Sequence, residues 1–373
     1  MDKTPTVLYV VDSLLMGGTE ISTIDIASEL RDFKPIICYI YQNSTLRSLA
    51  ESRGLELIHL NIPGRYNFQQ AYKSLLEVTN KVAPAVIVSS LLRSDLLCRF
   101  VAKKAGIALI GTFVSDNYSD NRFKNTSLTG SMKIKTFKLI NQLTVNRCAH
   151  IISNSEAIKV SNCKILKYPK DKVSVVPRGR SSKKYSFEKK FNSERTVFLN
   201  VNRLIGSKRV DLLIMAFAKH SESHPNDELL IAGDGNERIS LQNMIDSLNI
   251  SNKVKILGKV SDVPSLMQHA DCLVFPSNLE GFSGVLVEAL MSGLPVLASD
   301  ISMNKEAISH LNNGYLFAVN DLDSLTQALG WFKDNHMLAV KMATDFRSEA
   351  HERYDIVNVA ARHERIYKEV IGN

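Results

Sequence analysis

Short apolar runs alternate along this chain with stretches whose apolar residues recur every three or four positions. The runs predict strands over 6–12, 35–41, 55–60, 85–89, 108–113, 150–153 and 173–176. A second series follows over 196–201, 228–232, 254–257, 272–275 and 295–298. Between them the spacing predicts helices over 19–30, 68–82, 95–104, 209–220, 236–248 and 284–291, and a closing helix over 356–371. Strand, helix, strand in succession implies crossover connections and a parallel sheet, buried on both faces, so the strand runs read as continuously apolar. The stretch from Arg180 to Lys190 is polar and aperiodic and reads as a linker. The chain is thus α/β, with two Rossmann-like doubly wound domains expected over 1–185 and 186–355. The closing helix within 356–373 is expected to pack back on the first. Ligands of such sheets bind in a cleft beyond the carboxyl ends of the strands.

A length of 373 residues fits two domains, and 45% hydrophobic with 23% charged residues excludes disorder and fibrous repeats. No apolar run has the length of a membrane span, and the run before Asp12 is too brief for a signal peptide. Cys38, Cys98, Cys148, Cys163 and Cys272 are scattered without a CxxC pair, which argues against a disulfide framework or structural zinc and for a reducing cytoplasm. Charge changes the picture more. Residues 1–190 hold 29 Lys+Arg against 15 Asp+Glu, a balance of +14, while 191–373 hold 17 against 23, a balance of −6. A basic first half points to an anionic membrane or nucleic acid, or to solubility alone. From 121 to 155 there is no acid, and Arg122, Lys124, Lys133, Lys135, Lys138 and Arg147 are interleaved with Met132, Ile134, Phe137, Ile140 and Leu143. That reads as an amphipathic helix able to rest on an anionic leaflet, or as an ordinary packing helix with solvated lysines. Its aliphatic interleaving argues against nucleic acid.

Four segments carry candidate chemistry. Gly17-Gly18-Thr19-Glu20 opens a helix after the first strand, where close backbone approach and free amides favour an anion. It lacks the third glycine of a dinucleotide fingerprint and the lysine of a P-loop. Asn202-Arg203 with Lys208 follows the first strand of the second half and could clamp a diphosphate. Ala232-Gly233-Asp234-Gly235 is another strand-to-helix turn. The most informative is Glu280-Gly281-Phe282-Ser283-Gly284 running into a helix that contains Glu288. Amides there would face a phosphate with the helix dipole behind them, and the two carboxylates could hold two hydroxyl-bearing groups, such as a sugar and a ribose. Glu288 lies among Val285, Leu286, Val287, Ala289 and Leu290, so it needs a hydrogen-bonding partner if buried.

Glu280-x7-Glu288 within SNLEGFSGVLVEALMSGLPVLASD resembles the retaining nucleotide-sugar glycosyltransferases of family 4, which have the two-domain GT-B fold. The Gly17-Gly18 loop, the Asn202-Arg203-Leu204 segment with Lys208, the Gly233 turn and Leu257-Gly258-Lys259-Val260 resemble further motifs of that family, in its order. The resemblance implies that Arg203 and Lys208 stabilise the leaving diphosphate, that Glu280 holds the donor sugar and that Glu288 holds the ribose. It implies donor contacts from Gly17, Gly18, Gly233, Val260, Gly281, Phe282, Ser283 and Gly284. On the acceptor side the chain departs from the family. It reads Thr112-Phe113-Val114-Ser115-Asp116 where a histidine often follows, and Arg178-Gly179 where Asn-Gly is usual. Ser115 and Asp116 remain the acceptor candidates.

The reaction so implied moves a sugar from a nucleotide diphosphate donor, UDP-linked by expectation, to a carbohydrate or lipid-linked hydroxyl with retained configuration. In a front-face displacement the leaving diphosphate takes the acceptor's proton, so no protein base is obligatory. No metal and no other cofactor is expected, because two cations supply the countercharge. The setting implied is bacterial cell-surface polysaccharide or glycolipid synthesis, in the cytoplasm or peripheral at the inner face of the membrane. An epimerase or phosphorylase on the same fold, or an inactive binding module, are the competing readings.

Overall fold

The computed structural model describes residues 4–64, 67–116, 118, 128–185 and 195–372. Arg122, Lys124 and the linker positions 186–190 lie outside the described residues. The chain divides into two compact units, Met1–Gly179 with Ile356–Asn373, and Arg180–Asp355.

In the first unit the elements run β1 (Thr6–Val11), α1 (Gly18–Ser28), β2 (Lys34–Tyr41), α2 (Arg47–Ser52), β3 (Glu56–Ile62), α3 (Phe68–Val82) and β4 (Val86–Ser90). They continue with α4 (Leu92–Ala105), β5 (Ala108–Phe113), α5 (Leu128–Thr144), β6 (His150–Ser153), α6 (Glu156–Leu166) and β7 (Val173–Val175). The strands form one parallel sheet in the order β3-β2-β1-β4-β5-β6-β7. Central strands are apolar throughout because helices cover both faces. Val7, Leu8, Val10 and Val11 of β1 are fully buried, whereas edge strand β3 mixes exposed and half-buried positions. The helices stop where local chemistry requires: Gly106 ends α4 at φ +68°, and the Ser155 hydroxyl caps α6 by accepting from the Ile158 N–H at 3.1 Å.

The second unit runs β8 (Val197–Val201), α7 (Val210–Ser223), β9 (Glu228–Ala232), α8 (Arg238–Ser247), β10 (Val254–Gly258), α9 (Val263–His269) and β11 (Cys272–Phe275). It continues with α10 (Gly284–Ser292), β12 (Val296–Ser299), α11 (Ser302–Lys305), β13 (Tyr315–Phe317), α12 (Leu322–Asp334) and α13 (His336–Tyr354). Its parallel sheet has the order β10-β9-β8-β11-β12-β13. Strand order therefore reverses between β1 and β4 in one unit and between β8 and β11 in the other. Those are the switch points where doubly wound sheets bind ligands. Helix α14 (Ile356–Gly372) returns to the first unit. Its Tyr367 hydroxyl meets that of Tyr9 at 2.9 Å, and Glu364 accepts the backbone N–H groups of Arg31 and Asp32, each at 2.7 Å.

Two expectations need correction. The division falls after Gly179, not after residue 185. Arg180 donates its N–H to the Tyr354 carbonyl at 2.9 Å, the Ser182 N–H reaches the Asp355 carboxylate at 3.2 Å, and Tyr185 is buried in the second core. The start of the expected linker is thus a fixed part of the second unit. On α5, the face that packs inward is largely polar. Asn141 and Thr144 are buried and accept from the Arg99 guanidinium at 2.7 and 2.9 Å, and Arg99 pairs with Asp95. Met132 and Leu143 point outward, 70% and 73% exposed. Among the described residues no helix is long and apolar enough to cross a membrane.

Candidate active site

Most of the donor-side candidates gather around the β8/β11 switch point of the second unit, on the loops after β8, β9 and β11. After β8 the chain dips into the core at Leu204, which is fully buried, and the Asn202 and Leu204 N–H groups bond the Ala232 and Asp234 carbonyls, each at 3.0 Å. Only glycine fits opposite this loop. A Cβ at Gly233, where φ is +155°, or at Gly235 would strike the carbonyl oxygens of Asn202 and Leu204. That loop-on-loop packing accounts for both glycines without a ligand. It also leaves Arg203 outside the core, exposed and with no acidic partner among the described residues.

Lys208 behaves differently from the free clamp expected of it. It is buried, its ammonium is ion-paired to the Glu280 carboxylate, and it lies 6.0 Å from the centre of the Phe275 ring. The two members of the pair come from the loops after β8 and β11. The Asn278 N–H bonds the Ser207 carbonyl at 3.0 Å and ties those loops together. Removing Lys208 would leave Glu280 with little solvent and, among the described residues, no counterion, which is costly.

Helix α10 begins beside this pair. Ser283 is its N-cap residue, yet no side chain caps the helix, so its first amides are available to an acceptor. Phe282 is packed into the core near Tyr354, so only its backbone can serve a ligand. Glu288 occupies the second turn and is buried. The partner it requires is Arg180, whose Nε donates to Glu288 Oε1 at 2.6 Å. The same guanidinium lies against Gly284, where a Cβ would collide with it. Arg180 is the residue that sequence reasoning misses, because it opens a polar, aperiodic stretch that reads as a linker. Val260 lies half-buried just past the end of β10.

The remaining candidates belong to the first unit. Gly17 is the N-cap of α1 and supplies no side-chain cap, and Gly18 faces the Arg178 guanidinium so closely that a Cβ would collide. Ser115 lines a crevice of about 30 Å³ with Asp95, Arg99 and Tyr118, and its carbonyl accepts from Asn162 at 3.2 Å. Asp116 is half-buried beside it. A larger polar pocket of about 390 Å³ lies at the ends of β1 and β2, lined by Asp12, Glu20, Tyr41, Gln42, Asn43 and Arg93. Neither Ser115 nor Asp116 reaches it. Among the described residues no cluster of three acidic, His or Cys side chains could hold a metal ion.

Residues 181–353 match the sequence model of the glycosyl transferases group 1, a span that takes in nearly all of the second unit. Over that span the chain is similar to the group 1 glycosyl transferases. The chain is 29% identical over 248 residues to an uncharacterized glycosyltransferase of Methanocaldococcus jannaschii, covering 63% of each chain. It is 28% identical over 216 residues to the UDP-Gal:alpha-D-GlcNAc-diphosphoundecaprenol alpha-1,3-galactosyltransferase of Escherichia coli, covering 54% of this chain and 55% of that one. The aligned parts thus span less than two thirds of either relative. The fold matches Anabaena HepE, solved in complex with UDP, at a TM-score of 0.84 with 20% identity, over 98% of this chain and all of that one. Both units of the chain are Rossmann-like, as in the GT-B fold.

Proposed function

We propose that this chain is a retaining glycosyltransferase of family 4 that moves a sugar from a uridine diphosphate sugar to an acceptor hydroxyl. One observation carries the reading. The uncapped start of α10, from Gly281 to Gly284, is flanked by the Lys208–Glu280 and Arg180–Glu288 pairs, with Arg203 exposed nearby. A diphosphate at those amides gains the helix dipole and the Arg203 charge, leaving Glu280 for sugar hydroxyls and Glu288 for the ribose. The bond from the anomeric carbon to the diphosphate breaks, the acceptor oxygen bonds to the same face, and its proton passes to the departing phosphate oxygen. Cations stabilise the charge that develops on that oxygen, and removing one typically costs about 3 kcal/mol, near a hundredfold in rate. Arg203, the α10 amides and Lys208 from within its pair with Glu280 supply the countercharge, so this reading needs no metal or other cofactor.

The acceptor in this reading is a carbohydrate or lipid-linked hydroxyl of a bacterial cell-surface glycan. The Escherichia coli relative, named for a UDP-galactose donor and a diphosphoundecaprenol acceptor, supports that choice. The basic first half then serves a cytoplasmic enzyme resting on the inner face of the membrane, with no role in nucleic-acid binding. Proton NMR of the sugar first released or transferred from a UDP-sugar tests the chemistry. The donor's anomeric configuration should be preserved, and an inverted product would remove the retaining mechanism.

A further inference from the structure

Helices α3, α4 and α5 of the first unit enclose an open groove of about 650 Å³, lined by Phe68, Tyr72, Leu97, Phe100, Phe137 and Ile140 among others. Its walls are almost wholly apolar, and its volume falls within the ~300–1,000 Å³ typical of ligand sites. The lining stays wet: Phe68 is 36%, Phe100 44% and Ile140 37% exposed. Met132, Leu139 and Leu143 extend the apolar surface along the outer face of α5. A contiguous patch of this kind on an otherwise charged surface marks an interaction site.

The rim identifies the occupant. Lys73 on α3, Lys103 and Lys104 one turn beyond Phe100 on α4, and Lys133 and Lys135 on α5 are all exposed. None of these lysines has an acidic partner among the described residues. The Arg147 guanidinium adds a cation 4.3 Å from the centre of the Phe100 ring. The acids on the three helices are Glu77, exposed on α3, and Asp95, which is engaged by Arg99. An apolar trough ringed by uncompensated cations complements a molecule with a hydrocarbon chain and an anionic head. A neutral apolar peptide would leave those charges unanswered, and a soluble anion would leave the trough empty.

We infer that this groove takes a hydrocarbon chain of an anionic phospholipid, with the rim lysines on its head group. The inference rests on the reading of the protein as an enzyme that works at a membrane surface. It differs from simple electrostatic adhesion, in which the lysines alone would hold the protein at about 1 kcal/mol each and the groove would be idle. The chain docks in α3, α4 and α5, and the head group stays at the surface where long lysine side chains reach it.

The test uses the full chain and dihexanoyl phosphatidylglycerol below its micelle concentration, titrated by calorimetry. Saturable binding of one lipid is expected, weakened at least tenfold by Ile140→Asp and several-fold by Lys133→Glu with Lys135→Glu. Glycerol phosphate, which lacks the chain, should not bind measurably, and dihexanoyl phosphatidylcholine should bind more weakly than the anionic lipid. Ile140 is partly exposed, so the variant should keep the wild-type melting temperature, and Phe100→Ser gives a second reading if it does not. No saturable binding, or equal affinity in wild type and both groove variants, would overturn the inference. So would a concentration-dependent dimer abolished by Ile140→Asp, which would make a second copy the occupant. Titration of UDP on the same samples separates the two readings. UDP binding without lipid binding sinks the groove alone, whereas loss of UDP binding in the wild type sinks the donor reading.

Discussion

Glu288 sits in a helix whose neighbouring residues Leu286, Val287, Ala289 and Leu290 are all buried, and Arg180 supplies the charge that keeps it there. The need for a partner was legible from those apolar neighbours, since a buried unpaired carboxylate is costly. Its identity was not, because Arg180 lies 108 residues away and looked like linker. Lys208 and Glu280 show the same limit. Their types and positions were readable, but not that they hold one another, which is a matter of loop packing. If Arg180 acts on nucleotide affinity by fixing Glu288, then Arg180→Met should weaken UDP binding about tenfold. In a Glu288→Gln background it should add little further. Double-mutant coupling measured by titration checks this, and fully additive losses would mean that Arg180 meets the nucleotide independently. Arg180→Lys should recover part of the loss, as a purely steric role would not.

At the level of elements, strands were the most legible. Ala108–Phe113, His150–Ser153, Glu228–Ala232 and Cys272–Phe275 appear with the bounds their apolar runs predict. Helices α12 and α13 were not anticipated, because between 301 and 355 the apolar positions do not alternate with further strand runs. The amphipathic spacing of α5 is legible in the sequence, but its inner face is not, since buried Asn141 and Thr144 depend on Arg99 from another helix. The closing helix α14 makes a prediction of its own. His363 is buried beside Tyr367, and burial lowers its pKa to about 4 from the usual 6.5. Its folded pKa is depressed, so the unfolded chain binds a proton that the folded one refuses as pH falls from about 6.5 to 4. Stability is lost over that window, by about 3 kcal/mol when complete. Unfolding midpoints in urea should therefore fall between pH 7.5 and pH 5 in the wild type and fall less in His363→Gln. Equal pH dependence in the two proteins would show that His363 is not held neutral.

For the whole molecule, the two-unit α/β plan was written in the order of runs along the chain. Only the exact crossing point, after Gly179, needed the structure. Function is spread unevenly across that plan. The match to group 1 glycosyl transferases and the paired charges around α10 fall in the second unit. The uncompensated lysines and the apolar groove fall in the first. Charge follows the same division: the first unit holds 27 Lys+Arg against 16 Asp+Glu, a balance of +11, and the second 19 against 22, a balance of −3. The central claim is that Glu288 serves the nucleoside and Glu280 the sugar at one donor site. Calorimetric titration of UDP and of UDP-glucose into wild type, Glu288→Gln and Glu280→Gln tests it most directly. Glu288→Gln should weaken both ligands alike. Glu280→Gln should leave UDP affinity unchanged or tighter, since Lys208 is released towards the diphosphate, and should erase any preference for the sugar-bearing ligand. The opposite ranking, with UDP weakened by Glu280→Gln and untouched by Glu288→Gln, would contradict the account.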